Sequence, residues 1–199
     1  MRQISQIHEV RTIKELRTMS KYKGASYVFF WGHSDTDPER VNEGCLSNWY
    51  PAPFELDGIV YPTSEHWMMT EKARLFEDDD SLALMLEAES PWKVKKLGRK
   101  VANFDNDVWR KYCFDSTVKG CIAKFTQNPH LGEYLKNTGK SVLVEASPYD
   151  TVWGIGMAFD KDNLEIGDPT NWKGENLLGF VLMEVRDQLN FISSAASSI

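Results

Sequence analysis

The stretch Phe54-Glu55-Leu56-Asp57-Gly58-Ile59-Val60-Tyr61-Pro62-Thr63-Ser64-Glu65 decides the class of fold. Two short runs, Phe54 to Leu56 and Ile59 to Tyr61, flank Asp57-Gly58, a dipeptide that supplies the positive φ of a two-residue turn, so the segment reads as a β-hairpin. After Pro62, Thr63 or Ser64 offers a side-chain oxygen to the unsatisfied N–H groups of a helix. Glu65 follows in the first turn, where a carboxylate meets the positive end of the helix dipole. A hairpin therefore runs straight into a capped helix, so the chain holds short strands as well as helices.

The same signals extend outward. The capped helix runs to about Phe76, and Ser81 to Glu89 carries Leu82, Met85 and Leu86 at helical spacing. Ser90-Pro91 pairs a cap with proline at the first helical position and opens a basic helix over 91–100. Asp105 or Asn106 opens a longer helix to about Thr126, and Asn128-Pro129 starts another that stops near Asn137 and Gly139. Ser141 to Ala146 alternates like a strand. Residues 147–175 are loop-rich, punctuated by Pro148, Gly154, Gly156, Gly167, Pro169 and Gly174, and loops of that length are usually functional when ordered. Asn176 to about Ile192 is an apolar helix. Upstream, Tyr27 to Trp31 suits a buried strand, followed by a polar loop over 32–44 with Asp35, Asp37, Glu39 and Glu43. Ile4, Ile7, Ile13 and Leu16 mark an amphipathic helix that Gly24 ends. The expected organisation is a helical extension over 1–24, one domain over 25–192 and a tail over 193–199 that needs no structure.

Composition narrows the function. The 199 residues carry 23 Lys+Arg against 29 Asp+Glu, a net charge of −6. That balance argues against non-specific wrapping of nucleic acid, which depends on clustered cations, and favours a small ligand. Three cysteines, Cys45, Cys113 and Cys121, show no C-x-x-C spacing, which speaks for a reducing compartment rather than a disulfide framework or a zinc ribbon. No apolar run approaches the ~18–20 residues needed to span a bilayer. The expectation is a cytoplasmic protein with no membrane partner. Seven tryptophans are many for this length, and one in a loop is more often a ligand platform than one in a periodic run.

Several clusters could carry chemistry. On a helix Glu65, Met68, Met69 and Lys72 share one face, an apolar stripe with a carboxylate at one end and an ammonium at the other. Core methionines with snorkelling charges explain the pattern equally well. His66 lacks the second histidine of a zinc helix motif, and no metal cluster is expected. In the second cluster a strand delivers Glu145 to the Ser147-Pro148 turn. The loop then presents Asp150 and Trp153 beside Gly154 and Gly156, which let backbone approach a ligand closely; a self-capped turn at Asp150 is the plainer alternative. Leu46-Ser47-Asn48-Trp49-Tyr50-Pro51 is a polar-aromatic loop suited to stacking a planar base on Trp49. Lys93, Lys95, Lys96, Arg99 and Lys100 form a basic cluster, and Gly174 precedes a helix start at Asn176 whose free N–H groups suit an anion.

These pieces, in this order, resemble the YbiA-like or NADAR (NAD and ADP-ribose associated) family. The matching motifs are L-S-N-W-Y-P from Leu46, Y-P-T-S-E-H from Tyr61, M-T-E-K-A-R-L-F ending at Phe76, L-G-R from Leu97 and K-F from Lys124. E-A-S-P-Y-D-T-V-W-G-I-G from Glu145 and W-K-G-E-N-L-L-G from Trp172 complete the set. Together they cover about Tyr27 to Leu189. The resemblance implies a compact α+β fold and hydrolysis of N-glycosidic bonds without a cofactor. The substrate the resemblance implies is a phosphoribosylamino-pyrimidine of riboflavin synthesis or, alternatively, ADP-ribose on a guanine base, in which case nucleic acid would become a partner. A silent module binding ADP-ribose or NAD would use the same pocket. The implied site has Glu65, Asp150 and Lys72 as catalytic candidates. Trp49 and Trp153 would stack the base, and Asn48, Glu145, Gly154, Gly156 and Asn176 would line the substrate. N-glycoside cleavage passes through an oxocarbenium-like state, which asks for negative charge under the cation and a route for water. Glu65 and Asp150 are interchangeable in those roles, and Lys72 would hold Glu65 ionised or contact a phosphate.

Overall fold

In the computed structural model the hairpin turns at Asp57 (φ +55°) and Gly58 (φ +78°), both left-handed as the dipeptide requires. The structure describes residues 7–19, 25–32, 40–160, 162 and 164–196. In chain order the elements are α1 (Ile13–Thr18), β1 (Tyr27–Phe30), β2 (Phe54–Leu56), β3 (Ile59–Tyr61), α2 (Ser64–Leu75), α3 (Asp79–Leu86) and α4 (Pro91–Gly98). After them come α5 (Asn106–Gln127), α6 (Pro129–Asn137), β4 (Val142–Glu145) and α7 (Leu177–Ala196). Short 3₁₀ turns occupy Ile7–Glu9, Glu43–Leu46 and Leu164–Gly167. The chain forms two units, a middle one of Asn48–Pro129 and a terminal one made of Met1–Ser47 with His130–Ile199. Of the described residues, no helix is long and apolar enough to cross a membrane.

The middle unit is built around α2. Thr63 is its N-cap and accepts the His66 N–H, while Asp78, Ser90 and Asp105 cap α3, α4 and α5 in the same way. The hairpin puts Phe54 and Tyr61 against Trp67 and Ala123, and α2 packs on α3, α4 and α5. Every residue from Ser64 to Glu71 is buried as a result. The helix is a central strut rather than a surface helix with one apolar stripe. Gly98 and Gly120 make this possible, because a Cβ at either would collide with Met69 or with the Trp67 ring. One polar network ties α2 to its neighbours. Arg74 donates to Glu71 (2.9 Å) and to the Tyr61 hydroxyl (2.9 Å), and the Tyr112 hydroxyl donates to Glu71 (2.6 Å).

In the terminal unit β1 and β4 pair in parallel, Tyr27 opposite Val142 through Phe30 opposite Glu145. The strand β4 is buried along Val142–Val144, and α7 covers it, with Gly179 lying on the Leu143 carbonyl. Two expectations need correction here. The amphipathic segment does not form one helix: it breaks into Ile7–Glu9 and α1, because the Thr12 hydroxyl accepts the Glu15 N–H and starts a new helix. At the other end α7 continues to Ala196, so 193–196 are helical and not tail. The Ser193 and Ser194 hydroxyls donate to the carbonyls of Leu189 and Phe191, which lets serine sit inside a helix. Ile4 and Gly24 of the first expected helix, the loop acids Asp35, Asp37 and Glu39, and 197–199 lie outside the described residues.

Candidate active site

The start of α2 gathers the middle unit's candidates. The Glu65 N–H donates to the Asn48 carbonyl (2.9 Å), which stitches the Asn48-Trp49 segment to the first helical turn. Glu65 is 2% exposed and Asn48 5%, so this carboxylate lies almost out of water at the end of the helix that favours negative charge. Next to it, His66 is held on both nitrogens. A carbonyl can only accept, so Nε2 carries the proton toward Ala88 O (3.1 Å) and Nδ1 takes the Thr63 hydroxyl (2.8 Å). Burial lowers the His66 pKa from 6.5, partly offset by the Ala88 bond, and the ring is a neutral structural post. From α5 the Cys121 thiol reaches Asn48 Oδ1 (3.9 Å) and Ser64 Oγ (4.0 Å). Burial pushes that thiol's pKa up although Lys124 works against it, so Cys121 is a poor nucleophile. Trp49 is half-buried, with the Lys95 ammonium 5.7 Å from its ring centre.

Lys72 behaves differently from the expectation. It stands two turns further along α2, ~10.5 Å of helix rise from Glu65. Its ammonium donates to the Gly98 carbonyl (2.8 Å) and lies 3.8 Å from the Phe104 ring centre. Burial lowers its pKa. The charge is directed to a carbonyl and an aromatic face, and not to the helix end where Glu65 sits.

Lys124 is the residue that sequence reasoning passed over as a candidate. It is 1% exposed, with its ammonium 5.7 Å from the Tyr50 ring centre and 5.0 Å from that of Phe125. The signal was present in the helical period. Cys113, Thr117, Gly120 and Cys121 form the buried face of α5, and Lys124 falls at the next position of that face.

The terminal unit holds the second cluster. Asp150 Oδ1 accepts the N–H groups of Val152 (3.0 Å) and Trp153 (2.8 Å), so the carboxylate caps its own turn and aims Trp153. Trp153 is half-buried, and its carbonyl accepts the Leu178 N–H (3.0 Å). Three of the residues expected to line the substrate, Gly154, Gly156 and Asn176, fasten backbone here. A Cβ on Gly154 would lie 2.8 Å from the Glu145 carbonyl oxygen and 3.1 Å from that of Asp150, so this glycine admits other backbone rather than a ligand. Gly156 is in the left-handed region at φ +67°, where its N–H donates to Asp150 O (3.0 Å). Asn176, 0% exposed, accepts the Glu145 N–H on Oδ1 (2.9 Å) and donates from Nδ2 to Leu143 O (2.8 Å), clamping β4 to the start of α7. The backbone N–H groups at this helix start, which the sequence offers to an anion, donate instead to carbonyls of the loop: Asn176 to Gly154, Leu177 to Val152 and Leu178 to Trp153. Beside Asp150, Tyr149 is 87% exposed and sits 6.1 Å, centre to centre, from the half-exposed Trp31 ring.

A family model described as the NADAR domain matches residues 29–190. The chain belongs to the NADAR domain family. It is 39% identical to an N-glycosidase of Acanthamoeba polyphaga mimivirus over 81% of this chain and 95% of the relative. It is 31% identical to the N-glycosidase YbiA of Escherichia coli over 73% of this chain and 81% of the relative. The solution NMR structure of Escherichia coli YbiA superimposes with a TM-score of 0.67 at 26% identity, covering 96% of this chain and 95% of that one. The α+β reading and the resemblance to YbiA-like proteins therefore hold for this NADAR chain.

Proposed function

We propose that this N-glycosidase hydrolyses the bond between ribose C1′ and the exocyclic nitrogen of a phosphoribosylamino-pyrimidine. The hydrolase chemistry rests on relatives named N-glycosidases across most of their length. The substrate class draws support from a relative named a riboflavin biosynthesis protein of Vibrio vulnificus, 33% identical over 74% of this chain and 36% of that protein. The observation that carries the mechanism is Glu65, a carboxylate 2% exposed in the first turn of α2. As the C1′–N bond lengthens, positive charge builds on C1′ and the ring oxygen. A fixed carboxylate in a dry site stabilises that charge far better than water does. Water then adds to C1′, giving ribose 5-phosphate and the free aminopyrimidine, with one proton of the water ending on the departing nitrogen. In the terminal unit Asp150 is the other carboxylate that the family motifs put forward, suited to orienting a water, and Trp153 beside it is a stacking candidate for a planar base, as Trp49 is in the middle unit. Lys124 would offer positive charge to the departing group, and the bonds of Lys72 support a packing role in place of a catalytic one.

The test is product release. Purified protein should liberate ribose 5-phosphate from an aminopyrimidine ribotide at a rate at least tenfold above that on a guanine carrying ADP-ribose. The reverse ranking would assign the ADP-ribosyl reading, and binding of ADP-ribose with no turnover of either substrate would leave a binding module.

A further inference from the structure

Residues 7–19 precede the 29–190 segment that the family model matches, yet they are built into the terminal unit. Val10 and Leu16 are both 0% exposed. Arg11 grips α7 through Glu184 (2.7 Å) and Asp187 (2.6 Å), and its Nη1 also donates to the carbonyls of His8 and Val10 (2.9 Å each). Further along, in α1, Arg17 donates from Nε to Pro169 O (3.0 Å) and from Nη2 to Trp172 O (2.8 Å). Trp172 is 3% exposed, bonded through Nε1 to Ile166 O (2.8 Å) and set edge-on to Tyr27 of β1.

Beyond Trp172 the backbone forms a ladder onto the Asp150 loop. Lys173 and Gly174 donate to Ile155 O (2.9 and 2.8 Å), Glu175 to Thr151 O (3.0 Å), Asn176 to Gly154 O (3.1 Å) and Leu177 to Val152 O (3.1 Å). A Cβ on Gly174 would collide with the Gly154 carbonyl. The loop bearing Asp150 and Trp153 thus has no regular sheet to hold it. Apart from the bond of Ile155 N–H to the Glu145 carbonyl (2.9 Å), it is held by the segment 172–178, and the start of that segment is held by Arg17.

We propose that residues 7–19 are a strap that sets the active-site loop, with Arg17 as a positioning residue and Arg11 as the strap's anchor. The proposal rests on the assignment of Asp150 and Trp153 to the site. Removing the guanidinium frees the carbonyls of Pro169 and Trp172 and loosens the ladder beyond them. A misplaced loop shifts both the carboxylate and the stacking ring, so kcat falls and KM rises together. Mere loss of folded protein scales kcat and leaves KM alone, which separates positioning from a structural defect.

The experiment compares wild type, Arg17→Ala, Arg17→Lys and Asp150→Asn on an aminopyrimidine ribotide, alongside amide hydrogen exchange of each. Arg17→Ala should lower kcat/KM by roughly 10- to 100-fold with KM raised. It should speed exchange at Lys173–Leu178 while the amides of Val142 and Ala146 stay protected. Arg17→Lys, which can still reach one of the two carbonyls, should recover part of both effects. Unchanged exchange at 173–178 would overturn the proposal. So would faster exchange with normal kinetics where Asp150→Asn has lost turnover, since the loop would then matter and the strap would not. Wild-type turnover by Asp150→Asn overturns the site assignment instead, and the exchange arm still tells whether the strap holds the ladder.

Discussion

At the scale of single residues, two side chains make opposite kinetic predictions. If Glu65 stabilises the oxocarbenium ion, it acts mainly in the transition state. Glu65→Gln should then lower kcat by roughly 10²–10³ with ligand affinity nearly unchanged. Trp153, half-buried with its backbone bonded on both sides, holds a base in ground and transition states alike. Trp153→Ala should therefore raise KM by about one to two decades, for a stacking contact worth ~1–3 kcal/mol, and change kcat little. Steady-state kinetics on one N-riboside, with folding checked by thermal melts, separates the two, and an unchanged kcat in Glu65→Gln would shift the catalytic role to Asp150. What the sequence could and could not reveal is also visible here. The place of Glu65 in the first turn of α2 was legible because the Thr63 cap and a first-turn acid coincide. The task of Asn176 was hidden, because a side chain that bonds Leu143 O and Glu145 N reads no differently in sequence from one that faces a ligand.

At the scale of elements, legibility followed the range of the interactions. The hairpin, the Thr63 cap and the helix starts at Pro91 and Pro129 are set by neighbours in the chain, and all appear where the residues predict them. The parallel pairing of β1 with β4 joins strands about a hundred residues apart, and nothing local in either strand encodes its partner. The burial of α2 on several sides escaped the helical-stripe reading for the same reason. That burial has a measurable consequence through His66. Its pKa is lowered from 6.5 by desolvation, so the unfolded chain takes up a proton more readily than the folded one. The neutral ring's contribution is full above pH 6.5, and it is lost as pH falls toward the lowered folded value. Urea midpoints measured between about pH 7 and about pH 5 should decline more steeply for wild type than for His66→Gln. Parallel declines would show that some other group carries the acid sensitivity.

At the scale of the whole molecule, charge separates the small substrate from the polymer. The chain is net negative by six charges, yet Lys93, Lys95 and Lys96 of α4 and Arg99 and Lys100 just after it give one short segment five cations. Two of the five already lie against aromatic rings: Lys95 at 5.7 Å from the centre of Trp49 and Lys96 at 5.2 Å from that of the exposed Trp92. A nucleic acid laid along this segment would neutralise several phosphates and release their counterions. With about five contacts, affinity would fall roughly 10²- to 10³-fold between ~50 and ~200 mM salt. A ribotide brings a single phosphate, and most of its binding comes from stacking and hydrogen bonds that salt scarcely screens. For hydrolysis of an aminopyrimidine ribotide, kcat/KM should therefore drop less than about tenfold across that range. Replacing Lys93, Lys96 and Lys100 together by Gln should leave that slope nearly flat, because a single phosphate cannot report on a row of cations. A steep slope for release of ADP-ribose from a modified nucleic acid, abolished by the triple replacement, would mean that the basic segment grips a polyanion, and it would move the assignment to ADP-ribose carried on a nucleic acid.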